Sequence, residues 1–286
     1  MKKLIIHIGA RKAGSTTIQK TFAKNNDALH ARGGHYVQAA RLPESRGDGQ
    51  YAHHRAAPLD GDFEHWVHIA REIRESCYET FIVSSELLYT IEREKIREIR
   101  KRVKEAGIEA ATVLMVKRRP IDFVKSEYKQ QIKFGREARS IVAFAQAHIR
   151  RCDHEGALQR WASVFEDGET IALELEAFRG SGRGLVGTVC QALGMGTLDL
   201  EEERMNESLD DKRVCVLRLI NRVAGQMGLF DVSEHAWQLK NSVKRGRMVG
   251  QAAMRALAPL APERPYEEHE IEQVRALFAQ HGLPVR

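Results

Sequence analysis

The sequence has little cysteine and no long apolar run, and each shortage excludes a class of protein. The four cysteines are far apart and form no C-x-x-C pair, so neither a zinc site nor a disulfide framework is indicated. A reducing, cytoplasmic setting is therefore expected. No apolar stretch approaches the roughly 20 residues that a membrane-spanning helix needs, so no membrane span is expected. Internal repeats and low-complexity tracts are lacking as well.

Composition and charge describe a globular protein with a mild preference for anions. The 286 residues are 43% hydrophobic and 29% charged, which is enough apolar material for a large core. Lys+Arg 45 against Asp+Glu 39 leaves a net charge of +6. This excess suits an anionic ligand but is no nucleic-acid footprint by itself, and no nucleic-acid partner is expected. The sequence carries no signal for an oligomeric state.

Predicted strands and helices alternate along the chain. Short apolar runs at residues 4–8, 80–83, 111–116 and 169–175 predict buried strands, and the first of them is too short to be the core of a signal peptide. This alternation predicts an α/β fold: a mostly parallel sheet flanked by helices, in one domain over residues 1–286 with helical C-terminal additions. Helical spacing is found at residues 15–30, 63–76, 92–106, 121–133, 185–193, 211–227 and 267–281.

Ligands of such sheets bind beyond the carboxyl ends of the strands, which directs attention to residues 9–17, 84–86 and 117–126. The first of these lies between a predicted strand and a predicted helix, where free backbone N–H groups and the helix dipole favour an anion. The order differs from Walker A, because the lysine precedes the second glycine, so a Mg-nucleotide site is less favoured. The candidate ligands of this anion loop, residues 9–17, are Arg11, Lys12, Gly14, Ser15, Thr16 and Thr17.

A second anion site is indicated after the third strand. Arg118 stands at the strand end, and Ser126 follows eight residues later on the next helix. A guanidinium and a hydroxyl in these places can hold a phosphate by charge-assisted hydrogen bonds, although Arg119 competes with Arg118 for the role. Two separated phosphate sites favour a doubly phosphorylated nucleotide.

The segments HIGARKAGSTTIQ and KRRPIDFVKSEYKQQ resemble two motifs of the sulfotransferases that use 3′-phosphoadenosine 5′-phosphosulfate (PAPS), in particular the bacterial members with a P-loop-like fold. The resemblance implies that PAPS is the sulfuryl donor, that no metal is needed, and that a hydroxyl or amine of a saccharide or small metabolite is the acceptor. It assigns Lys12, Ser15, Thr16 and Thr17 to the 5′-phosphosulfate, and Arg118 and Ser126 to the 3′-phosphate.

Sulfuryl transfer needs a base for the acceptor's proton, an in-line approach and positive charge near the bridging oxygen. Lys12 is the candidate for that charge. Glu86 follows the second predicted strand and is the candidate base, because partial burial can raise the pKa of a carboxyl group. His54 or His53, in the predicted long loop of residues 41–61, is the competing base, since histidine titrates near neutral pH. Glu86 has a second interpretation as the first carboxylate of a short helix over residues 87–91.

Two other classes of function stay open at this point. A P-loop kinase or NTPase acting on a small molecule needs a carboxylate for Mg²⁺ at a strand end. Glu86 is the only acid so placed, and the basic residues 117–119 argue against this class. A non-catalytic module that binds a nucleotide or a polyanion is the other alternative. The acceptor itself is not indicated by any motif.

Overall fold

The computed structural model describes residues 2–43, 49–108, 110–135, 137–178, 184–196, 209–226, 241, 243, 245 and 248–285. The chain divides into two compact units. The first contains Met1–Arg118 and Asp153–Met205, and the second contains Arg119–Cys152 and Asn206–Arg286. The single domain expected from the sequence stays a prediction. No helix in the described ranges is long and apolar enough to cross a membrane.

The first unit is built on a five-stranded, entirely parallel sheet with the order β2-β3-β1-β4-β5. The central strands are almost wholly buried, as continuous apolar runs require when both faces of a sheet are covered. The α/β class with a parallel sheet is thus confirmed. The strands are β1 (Lys3–His7), β2 (Gly34–Tyr36), β3 (Thr80–Ser84), β4 (Ala111–Lys117) and β5 (Thr170–Glu174).

Helices connect these strands and form the second unit. The predicted helix over residues 15–30 is interrupted at Asn25, whose side-chain amide and backbone N–H both donate to the Thr21 carbonyl and end the first helix there. In the described ranges the helices are α1 (Ser15–Lys24), α2 (Asn26–His30), α3 (Glu64–Glu75), α4 (Arg93–Glu105), α5 (Pro120–Lys133), α6 (Ile141–Ala147), α7 (His154–Ala162), α8 (Gly184–Ala192), α9 (Asp211–Gln226), α10 (Met248–Leu257) and α11 (Glu268–Gln280).

Each unit has its own apolar core. In the first, the buried faces of α1, α3 and α4 belong to one cluster with the strands, and Trp66 and Trp161 are its largest fully buried side chains. In the second, α5, α6, α9 and α11 contribute to a separate cluster that includes Phe123, Tyr128 and Phe278. Pro120 occupies the first turn of α5, where its fixed φ favours helix initiation.

Candidate active site

The anion loop makes a tight turn between β1 and α1. Lys12 and Gly14 have φ values of 63° and 81°, both in the left-handed region, and the Ala13 N–H donates to the Ala10 carbonyl at 3.3 Å. Left-handed backbone costs a residue with a side chain on the order of 1 kcal/mol, so Lys12 is held there by its surroundings. The turn gives the loop a fixed shape.

Gly9 allows the loop to pack directly on the side chains beneath it. A Cβ atom at this position would lie 2.5 Å from Ser15 Oγ and 2.8 Å from two ring atoms of His7. A Cβ on Gly14 would lie 2.3 Å from a methyl group of Leu185. A side chain at either position would force these neighbours to move, and at Gly14 it would also have to adopt the left-handed backbone. The His7 ring packs directly beneath Gly9 and so forms part of the floor of the loop.

The N-terminus of α1 offers its backbone N–H groups to an anion. No side chain among the described residues caps this first turn, which also has no acidic residue. Its N–H groups and the helix dipole make the end of α1 electropositive. The buried Ser15 hydroxyl donates weakly to the Ala10 carbonyl at 3.4 Å. The structure brings the six predicted loop residues into this one turn, with half-buried side chains at Arg11, Lys12, Thr16 and Thr17.

Arg118 lies against the anion loop. It follows β4, which pairs with β1, and its Nη1 donates to the Lys12 carbonyl at 3.3 Å. The guanidinium is 18% exposed, and its Nε lies 3.8 Å from a carboxylate oxygen of Glu176. One cation from β4 is therefore adjacent to the turn that follows β1.

Arg119 and Ser126 belong to the second unit. The Arg119 side chain is 52% exposed and forms two bonds to Asp122, at 2.7 and 2.6 Å, in the first turn of α5. The guanidinium of Arg118 contacts the anion loop, and that of Arg119 is paired with Asp122. Ser126 is half-buried on α5, and its part in a phosphate site stays a prediction.

Glu86 stands at the start of a 3₁₀ turn, Glu86–Thr90, that directly follows β3. Its Oε2 accepts a hydrogen bond from Gln19 Nε2 at 3.0 Å, and its Oε1 lies 3.7 Å from His54 Nε2. Gln19 lies on α1, one helical turn beyond the first residue of that helix. The carboxylate is therefore hydrogen-bonded to the helix whose N-terminus lies in the anion loop.

The two neighbouring histidines of the long loop have different environments. His53 is fully buried: its Nδ1 accepts from the Ser84 N–H at 3.0 Å, and its Nε2 donates to the Val37 carbonyl at 2.7 Å. Desolvation lowers the pKa of His53 to about 4, so the ring is neutral and both nitrogens are engaged. His54 bonds through Nδ1 to the Ser85 hydroxyl at 3.1 Å and directs its other nitrogen towards Glu86. The geometry favours His54 over His53 as the partner of the carboxylate.

The 3₁₀ turn that carries the carboxylate is anchored on α7. The Tyr89 hydroxyl contacts His154 Nδ1 at 2.9 Å, Arg160 donates to the Tyr89 carbonyl at 3.2 Å, and Trp161 Nε1 donates to the Leu88 carbonyl at 3.2 Å. Burial lowers the pKa of His154 to about 4, so this ring is neutral. The turn is held by three side chains of one helix.

Two residues of the site were missed by the sequence reasoning. Gln19 is part of the TTIQ sequence, and its position one turn after the loop hydroxyls was a usable signal for a side chain on the same face of α1. His7 is a polar residue at the end of an otherwise apolar strand, which was also a visible signal.

Comparison with known proteins gives limited similarity. No family model matches the sequence, and no curated protein matches it either. Among solved structures, a sulfotransferase from Alicyclobacillus acidocaldarius is similar, with 14% sequence identity and a TM-score of 0.45. The similarity covers 82% of this chain and 99% of that one. The functional assignment therefore rests on the residues of the site.

Proposed function

We propose that the protein is a PAPS-dependent sulfotransferase that moves a sulfuryl group to a hydroxyl or amine acceptor, such as a saccharide or small metabolite. The observation that carries this proposal is the convergence of three groups at one edge of the sheet. They are the anion loop, the Arg118 guanidinium bonded to its Lys12 carbonyl, and the Glu86 carboxylate tied to α1. The resemblance of the two sequence motifs to those of the sulfotransferases supports the same conclusion.

The donor suits the groups present in the first unit. The uncapped N–H groups of α1, with Arg11, Lys12 and the three loop hydroxyls, would hold the 5′-phosphosulfate, and Arg118 would hold the 3′-phosphate. The part of Ser126, which belongs to the second unit, stays a prediction. PAPS, when bound, supplies the sulfuryl group and leaves as adenosine 3′,5′-bisphosphate. Lys12 offsets the negative charge that grows on the bridging oxygen as the S–O bond breaks.

Glu86 is the proposed base. Its Oε2 is held by Gln19, which leaves Oε1 to accept the proton of the acceptor as the new bond to sulfur forms. In the alternative arrangement, His54 Nε2 takes the proton and Glu86, 3.7 Å away, stabilises the imidazolium. In both arrangements the acceptor gives one proton to the base and receives one sulfuryl group from PAPS, so the reaction balances.

Calorimetric titration tests the nucleotide assignment directly. We expect adenosine 3′,5′-bisphosphate to bind without a metal and at least tenfold more tightly than AMP, because the 3′-phosphate gains charge-assisted hydrogen bonds. Preference for ATP with Mg²⁺ would contradict the proposal and favour a kinase or NTPase. Tight binding of the bisphosphate without transfer to any of a panel of acceptors would favour a non-catalytic binding module.

A further inference from the structure

His7 ends β1 as a polar side chain that is only 1% exposed. The edge of its ring that carries Nε2 and Cε1 faces the anion loop, since both atoms lie 2.8 Å from the place where a Gly9 Cβ would stand. Ser15 Oγ lies 2.5 Å from the same place. The ring is therefore beneath the loop and beside the first hydroxyl of α1.

The other ring nitrogen of His7 has a hydrogen-bond partner at the end of β3. Ser84 Oγ lies 2.7 Å from His7 Nδ1, and either atom of this pair can donate to the other. An Nδ1–H that donates to Ser84 leaves a lone pair on Nε2 of the neutral ring.

Nε2 is buried and, in the described part of the chain, has no hydrogen-bond partner. Buried polar atoms are nearly always satisfied, so an unpaired ring nitrogen at a binding loop indicates a missing partner. Burial lowers the pKa of His7 to about 4, and the negative charge of Glu86 opposes this only in part. Glu86 from the 3₁₀ turn is the charged group that acts on His7, while Tyr36 from β2 and His53 from the long loop face Ser84, the partner of Nδ1. Arg11 and Lys12 are the cationic residues of the anion loop that follows His7.

We propose that His7 is an oxyanion-binding residue whose Nε2 takes up one proton from solvent when an anion enters the loop, and donates the resulting N–H to that anion. In this proposal Nδ1 carries the proton of the neutral ring, and its bond to Ser84 is retained in the complex. The bound anion supplies the negative charge that makes the imidazolium favourable in a buried place. This proposal rests on the proposed function, because it takes the ligand to be the phosphosulfate or phosphate end of the nucleotide.

The test is nitrogen-15 NMR of the histidine rings in the full chain, before and after saturation with adenosine 3′,5′-bisphosphate. In the free protein we expect His7 to be protonated at Nδ1 alone, and in the complex at both nitrogens. His53 serves as an internal control, since both of its nitrogens already have partners and should not change. The proposal would be overturned if Nε2 stayed unprotonated in the protein saturated with the bisphosphate. It would also be overturned if the ring stayed neutral and its proton moved from Nδ1 to Nε2.

Calorimetry of wild type and His7→Gln at several pH values gives a second readout. Between pH 6 and 8, the ratio of the wild-type affinity to the affinity of the variant should rise about tenfold for each unit by which pH falls. The reason is that the wild type binds one extra proton together with the anion. Equal pH slopes would count against the proposal.

Inorganic sulfate separates this proposal from the nucleotide assignment. If the bisphosphate does not bind, but His7 Nε2 becomes protonated when sulfate binds, the nucleotide assignment fails and the role of His7 stands. If wild type binds the bisphosphate and Nε2 stays bare, the proposed function survives and the role of His7 is wrong. The NMR readout needs no variant, so misfolding of His7→Gln would not affect it.

Discussion

Lys12 combines the charge that the proposed sulfuryl transfer needs with a backbone conformation that glycine would adopt at lower cost. Its removal can therefore be tested for chemistry and for folding independently. We expect Lys12→Ala to lower turnover by about 100-fold, the usual effect of losing one group that stabilises the transition state. Measuring release of adenosine 3′,5′-bisphosphate from PAPS with an acceptor panel checks this.

The matched control for that experiment is Lys12→Gly. This variant removes the same ammonium group but relieves the left-handed backbone, so its free energy of unfolding should equal or exceed that of wild type by up to about 1 kcal/mol. Both variants should lose turnover equally. Full activity in either one would remove Lys12 from the mechanism.

Glu86 and His54 can be separated by two isosteric changes. We expect Glu86→Gln to reduce turnover by at least about 100-fold with little change in affinity for the bisphosphate, because the amide cannot accept the proton. His54→Gln should lower turnover by less than about tenfold. The reverse order of effects, measured as kcat at saturating PAPS, would make His54 the base and Glu86 its orienting partner.

Arg118 and Arg119 form a natural pair of test and control. The loss of charge in Arg118→Met should weaken binding of the bisphosphate by roughly 10- to 100-fold while affecting AMP much less, since the guanidinium is assigned to the 3′-phosphate. Arg119→Met removes only an exposed pair with Asp122 and should leave the ratio of the two affinities unchanged. An unchanged ratio in Arg118→Met would place the 3′-phosphate elsewhere.

At the scale of elements, the 3₁₀ turn Glu86–Thr90 depends on α7 for its position. Tyr89→Phe removes only the hydroxyl that contacts His154, and leaves a buried ring nitrogen with one partner fewer. We expect a loss of about 1 kcal/mol in the free energy of unfolding, measured by urea denaturation. A loss above about 3 kcal/mol would mean that the hydroxyl supports more than this one bond.

The sequence predicted elements best where burial is continuous. β1, β3 and β4 are short, continuous runs of apolar residues, a pattern typical of buried strands. Their positions could therefore be predicted from hydropathy alone. β2 has three residues, too few to show any periodicity, and the shortness of α6 has the same effect. The end of α1 at Asn25 depends on a single side-chain bond to Thr21 that no pattern reveals.

In the site, too, features that are local in the sequence could be predicted, and contacts between distant residues could not. The anion loop and the strand-end arginines are local in sequence, so spacing was sufficient to name them. The hydrogen-bond partners of Arg118, Arg119 and His53 depend on tertiary packing, which spacing along the chain does not reveal. Which arginine binds the 3′-phosphate stays a prediction. The position of Gln19 on α1 was visible in the sequence, but its contact with Glu86 joins residues far apart in the chain and could not be predicted from spacing.

At the scale of the molecule, the buried histidines make stability depend on pH. His7, His53 and His154 each have a pKa of about 4 in the folded state, against about 6.5 when unfolded. The unfolded chain therefore binds more protons between these values, and stability is lost as pH falls from about 6.5 towards 4. Each histidine contributes at most about 1.4 kcal/mol per pH unit.

Urea denaturation at pH 7.5, 6.5 and 5.5 checks this dependence. The free energy of unfolding should be nearly constant above pH 7 and should decrease steeply below pH 6. A flat profile from pH 7.5 to 5.5 would mean that these rings are accessible to protonation in the folded protein.

The order of the strands also has a consequence for synthesis on the ribosome. β1 is made first, but its two neighbours in the sheet are β3 and β4, which are translated much later. Until β3 has left the exit tunnel, β1 has neither of its sheet partners, and until β4 follows it has only one. The nascent chain must therefore keep its first strand unpaired while residues 8–79 are made, and this interval is when chaperone binding would matter most.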